Sequence, residues 1–171
     1  MQESNTQNTG SLAAKALEIA AGYVGQQEVP KGSNWGPFVR DCLACVGLTA
    51  AAPWCMALMF RCFNEAAKAL GMNNPVRKTA SVHDCWNNTS ANKKIFKTEA
   101  ISRPELVTPG CQGVMFLGPN AGHTFIVERV EGMVIYTIEG NSNTDGSREG
   151  YEVVRHQRRI DDKAIEGFIK Y

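Results

Sequence analysis

Read for apolar spacing, the first half of the chain is helical and the second half is not. In "SLAAKALEIAAGYVG" (11–25), Leu12, Ala16, Ile19 and Tyr23 recur at helical intervals, and Gly25 offers an end. A loop, "QQEVPKGSN", follows. Ser33 or Asn34 is placed to cap a second helix with Pro37 in its first turn, an apolar face of Phe38, Val39, Cys42 and Val46, and a stop at Gly47. Beyond "LTAAAP", Met56, Phe60, Phe63, Ala67 and Leu70 form the stripe of a third helix closed by Gly71. Ser81 caps a short fourth helix running through Trp86, and residues 87–112 read as mostly irregular.

After residue 112 the pattern changes. "GVMFLG", "GHTFIVERVEG", "MVIYTIEG", "YEVVRHQ" and "IEGFIKY" are β-rich runs separated by glycine, and "VEGM" fits a tight turn between antiparallel strands. Helices first and strands second predict an α+β fold. With no internal repeat or linker, the expectation is one domain over residues 11–171 behind a loose polar tail, residues 1–10.

Composition narrows the function classes. Lys plus Arg number 18 and Asp plus Glu 17, a balance with no electrostatic case for a nucleic-acid partner. The basic cluster "RHQRR" (155–159) reads as a solvated strand edge. No apolar run approaches the ~20 residues of a membrane span, and the polar start lacks a Sec-type signal. The expectation is therefore synthesis in a reducing cytosol, where the six cysteines are mostly thiols.

One of those thiols is differently placed. Cys55, in "PWCMALMF", falls at the start of the third helix, where unpaired N–H groups and the positive dipole end favour a thiolate and offer a cradle for an oxyanion. Cys42, Cys45, Cys62, Cys85 and Cys111 read as small buried hydrophobes. "CLAC" has metal-pair spacing but no second pair, so a structural zinc site is a minor alternative. A nucleophilic cysteine needs a base. Of three histidines, His83 lies in the short helix and His156 in the basic strand, whereas His123 opens a strand beside Gly122. On the next strand Glu139 and Asn141 share a face if it continues through Gly140, and the hairpin brings Glu139 back towards His123 as its orienter.

Five blocks in this order, "GSNWGPFV", "PWCMALMF", "TASVHDCW", "GHTFIVERVEG" and "TIEGNSN" with "GSREGYEVV", make the chain resemble the CHAP family of cysteine- and histidine-dependent amidohydrolases and peptidases, and its phage-type members most. The resemblance implies a papain-like α+β fold with Cys55 as nucleophile, His123 as base, Glu139 as orienter and Asn141 as a polar supporter. It also implies an amide-cleaving peptidoglycan hydrolase that acts on the wall after release or export by a non-Sec route. Trp54, Asn34 and Trp35 are candidates to line the substrate groove, with ordinary packing the competing role. The sequence departs from the family at "CLACVGLTAAAPWC" and at "PGCQGVMF", where Pro-Gly-Asp is more usual. Some such lysins bind calcium through an acidic loop near the nucleophile. Here Asp41 stands alone, so no metal or other cofactor is expected, and the protein is expected to act as a monomer. Three readings remain beside wall hydrolysis: another acyl-transfer or amidase reaction on the same fold, a non-catalytic peptide-binding module, and a small zinc protein.

Overall fold

The structure is a computed structural model that describes residues 6–144 and 150–171. Part of the expected tail (1–5) and part of the "GSREGYEVV" block (146–149) lie outside the described residues. Five α-helices accompany one sheet: α1 (Thr6–Gly22), α2 (Pro37–Cys45), α3 (Cys55–Ala69), α4 (Val82–Asn88) and α5 (Lys97–Ser102), with strands β1 (Lys94–Phe96), β2 (Gln112–Phe116), β3 (Gly122–Glu131), β4 (Val134–Ser142), β5 (Glu152–Arg159) and β6 (Ile165–Ile169). The strands form a single sheet in the order β1-β6-β2-β3-β4-β5, antiparallel at every pairing. The fold is α+β, as the switch in periodicity predicts.

Apolar residues cover both faces of the sheet because strand side chains alternate. On β3, Ile126 joins a cluster with α1, α2 and α3, while its neighbours Phe125 and Val127 join a second one with α5 and the turn before β2. Helix α3 is the centre of the first cluster. Ten of its fifteen residues are buried, so it is apolar on nearly all sides rather than along one stripe. Each large side chain there, Phe63 and Met56 among them, contributes roughly 1.5–3 kcal/mol by leaving water.

The elements differ from the sequence expectations in four places. Helix α1 begins at Thr6, inside the expected tail, and ends at Gly22 rather than Gly25. Helix α2 is preceded by Gly36 and not by a capping Ser33 or Asn34, because the Asn34 backbone is engaged elsewhere. Leu70 lies past the end of α3 and is 38% exposed, outside the buried stripe. Within residues 87–112, β1 and α5 form although neither has a pattern of its own. β1 is three residues laid on β6, and α5 buries only Ala100. Docking, not local periodicity, makes both.

Candidate active site

Cys55 is the first residue of α3, and Trp54 before it makes no side-chain cap. The N–H groups of that turn are thus not taken by a capping side chain, and the dipole end faces the sulfur. Gly140 brings this helix end onto β4. A β-carbon there would come within 2.5 Å of Leu58 and 2.8 Å of Trp54, so the missing side chain is what allows the contact. Gly122 does the same for α4, where a β-carbon would meet Val82 at 2.8 Å. These two close approaches gather α3, α4 and the start of β3 around one point.

His123 stands one residue into β3, with its side chain 12% exposed. Its Nε2 lies 2.7 Å from Glu139 Oε2 on β4. The ionised carboxylate accepts only, so Nε2 carries the proton and Nδ1 is left as the basic nitrogen. Cys55 is close enough to the ring to favour its protonated form. Burial pushes the His123 pKa down, but the interactions with Cys55 and Glu139 outweigh it and raise it from 6.5 to about 9. Burial pushes Glu139 up, yet the hydrogen bonds from Arg158 and then His123 hold it well below the usual carboxylate range.

The Glu139 carboxylate is fully enclosed and fully bonded. Thr137 Oγ1 donates to Oε1 at 2.6 Å, Arg158 Nε donates to Oε1 at 2.5 Å, and an Arg158 terminal nitrogen donates to Oε2 at 2.7 Å. Arg158 belongs to the cluster expected to be a solvated edge. β5 is indeed an edge strand, and Arg155 and Arg159 pair with surface acids, but Arg158 turns inward. Its place opposite Ile135, an apolar position, is the signal in the register that sequence spacing alone does not give.

Asn141 departs from the strand geometry expected of it. The pairing of β4 with β5 shifts between Glu139 and Ser142, and Asn141 adopts a left-handed backbone with φ 54°. Its Oδ1 is buried without a hydrogen-bond partner among the described residues. The simple alternation expected through Gly140 therefore fails.

Of the groove candidates, Asn34 and Trp35 are half-buried, while Trp54 is completely buried. The Trp54 indole N–H donates to Glu28 Oε1 at 2.8 Å, so this ring packs beneath the site instead of lining a groove. Glu28 is a residue that sequence reasoning missed. It is 3% exposed, and its second oxygen accepts the Asn34 backbone N–H at 3.0 Å. One carboxylate thereby ties the loop before α2 to the residue preceding Cys55.

The remaining cysteines behave as packing groups. Burial pushes Cys42 up to about 12 and raises Cys62 and Cys85 as well, which disfavours their thiolates. Cys111 is buried and Cys45 half-buried. Among the described residues no group of three or more His, Cys, Asp or Glu is arranged to hold a metal ion. His83 stacks on Phe116, and His156 Nε2 lies 2.9 Å from Ser142 Oγ, so neither is grouped with Cys55. A cleft of about 590 Å3 lies elsewhere, between α1 and the 108–111 turn, and none of Cys55, His123 and Glu139 lines it. Among the described residues no helix is long and apolar enough to cross a membrane.

No family model matches this sequence, and no curated protein matches it. Among solved structures the fold is similar to the crystal structure of a wild-type endolysin, LysIME-EF1, with a TM-score of 0.56 at 14% identity. The likeness covers 92% of this chain and 62% of that protein, so this chain spans less than two thirds of the endolysin's length.

Proposed function

We propose that this chain is a peptidoglycan hydrolase of the CHAP type, cleaving an amide bond with Cys55 as nucleophile, His123 as base and Glu139 as orienter. The observation that carries the reading is His123 hydrogen-bonded to a buried, ionised Glu139, with the Cys55 thiol, at a helix N-terminus, interacting with the same imidazole. That order of nucleophile, base and orienter is what acyl transfer requires. The similarity of the fold to an endolysin supports the wall as substrate.

In this mechanism His123 Nδ1 takes the Cys55 proton and the sulfur attacks the amide carbonyl carbon. The Cys55 backbone N–H holds the oxyanion. The imidazolium then gives its proton to the leaving nitrogen as the C–N bond breaks. Water, deprotonated by the same nitrogen, attacks the thioester and frees the thiol. Asn34 and Trp35, on the loop tied down by Glu28, are the proposed contacts to the substrate's peptide, and Asn141 is a supporter through its unpartnered oxygen.

The test is digestion of purified sacculi from several bacteria by the protein and by Cys55→Ala, with released fragments read by mass spectrometry. Fragments from the active protein alone support the reading, and their new ends separate an amidase from an endopeptidase. Intact walls with both proteins, with Cys55 verified as reduced, would overturn it.

A further inference from the structure

We propose that Arg158 is a positioning residue for the site, acting through Glu139: its guanidinium holds that carboxylate charged and in one orientation, with Oε2 turned to His123. The inference rests on the reading of Cys55, His123 and Glu139 as a working triad. Arg158 starts opposite Ile135 on β4 and reaches along the strand past Thr137 to Glu139. There it makes a fork, one nitrogen to each carboxylate oxygen. Oε1 is shared with Thr137 and Oε2 with His123, so the carboxylate cannot rotate without breaking several bonds at once. The other arginines of β5 do not resemble it: Arg155 and Arg159 are more than half exposed, whereas Arg158 is 22% exposed and its partner 0%.

The chemistry gives this fork a purpose. His123 gains and loses a proton in each cycle. A buried carboxylate compensated by His123 alone would be left uncompensated whenever the imidazole is neutral, and would tend to take up a proton itself. Arg158 is a permanent cation, so Glu139 stays charged through both halves of the cycle. The charged groups facing this pair are few. Glu139 meets His123 from β3 and Arg158 from β5, with Cys55 of α3 beyond the imidazole. Arg158 also feels Asp162 from the turn after β5 and lies over the Phe125 ring. His156, opposite Thr137, turns its ring to Ser142.

The experiment follows the pH dependence of Cys55 alkylation by iodoacetamide, with the modified residue identified by mass spectrometry, and of sacculus digestion. Wild type is compared with Arg158→Gln, Arg158→Met and Arg158→Lys. The Met variant keeps the apolar stem over Phe125 and serves if the Gln variant does not fold. Loss of the cation is expected to move the acid limb up by about one pH unit and to lower kcat about tenfold with little change in KM. Arg158→Lys returns the limb to its wild-type position with part of the rate. A limb that stays in place in folded Gln or Met variants, whatever the loss of rate, overturns the proposal. Alkylation needs no wall substrate, so it tests Arg158 even if sacculi are not cut. If wild-type Cys55 alkylates as fast in His123→Ala as in the intact protein, the triad and this proposal fall together.

Discussion

Two glutamates are buried in the described part of this chain, and they are buried for different reasons. Glu139 is matched to cations, the Arg158 guanidinium and the imidazolium of His123. Glu28 is matched to neutral donors, an indole N–H and a backbone N–H. The first arrangement fixes a charge beside an imidazole that, in the proposed mechanism, changes its own charge. The second fixes positions: the loop through Asn34, and the ring of Trp54 directly before Cys55. Burial of a carboxylate therefore does not identify its role, and the chemistry of its partners does.

The largest expected effects test whether the Glu139 side is chemical. Cys55→Ala and His123→Ala are each expected to reduce fragment release from sacculi at least about 10³-fold, with unfolding in urea little changed for Cys55→Ala and made easier for His123→Ala, which removes a partner of buried Glu139. Glu139→Gln should lower kcat about 10²-fold, less than loss of the nucleophile. It should also pull the alkaline limb of the rate profile down from near 9 towards 6.5, because the carboxylate is one of the groups that raise His123. The sign extends to stability. The His123 contribution is complete below 6.5 and is lost as pH rises through about 9. The Glu139 contribution is present above its ordinary value near 4.5 and is lost as pH falls through its lowered one. Urea melts of wild type and Glu139→Gln should therefore converge as pH falls through the lowered Glu139 value, and should differ less above about 9 than near 6.5, with the Arg158 pairing keeping a difference there.

Glu28 should show the opposite balance. Glu28→Ala leaves two buried donors unpaired and is expected to cost about 2–4 kcal/mol in urea melts, while residual kcat in the folded fraction falls less than in Glu139→Gln. A Glu28 variant that is stable but inactive would break the distinction between brace and reactant. The mildest test is Trp54→Phe, which removes one donor and keeps most of the ring. It should cost about 1–2 kcal/mol and leave the pH limbs in place.

The same contrast explains what sequence reading captured. The place of Cys55 at a helix start and the meeting of His123 with Glu139 are legible because each residue sits where an element starts or beside a glycine, and helix and strand spacing sets which way it points. Arg158 and Glu28 are not. Both act through partners distant in sequence, Arg158 on Glu139 and Glu28 on Trp54, and nothing in "RHQRR" or "QQEVPKG" marks one charged residue as inward. The backbone at Asn141 is hidden for a related reason: a shift of register between Glu139 and Ser142 and a left-handed residue interrupt the two-residue alternation. The short elements β1 and α5 escape notice because they exist only against β6 and its surroundings.

Strand β5 carries both supports. Near its start, Val153 exchanges backbone hydrogen bonds with Gly25 and Gln26, while Tyr151, just before the strand, accepts one from Glu28. At its other end it supplies Arg158 to Glu139. It is also an edge strand, the kind that opens before the centre of a sheet does. Heat should accordingly silence this protein before it melts it. Amide exchange along β5 should quicken, and turnover should fade, at temperatures where α3 and the middle strands still hold their protons.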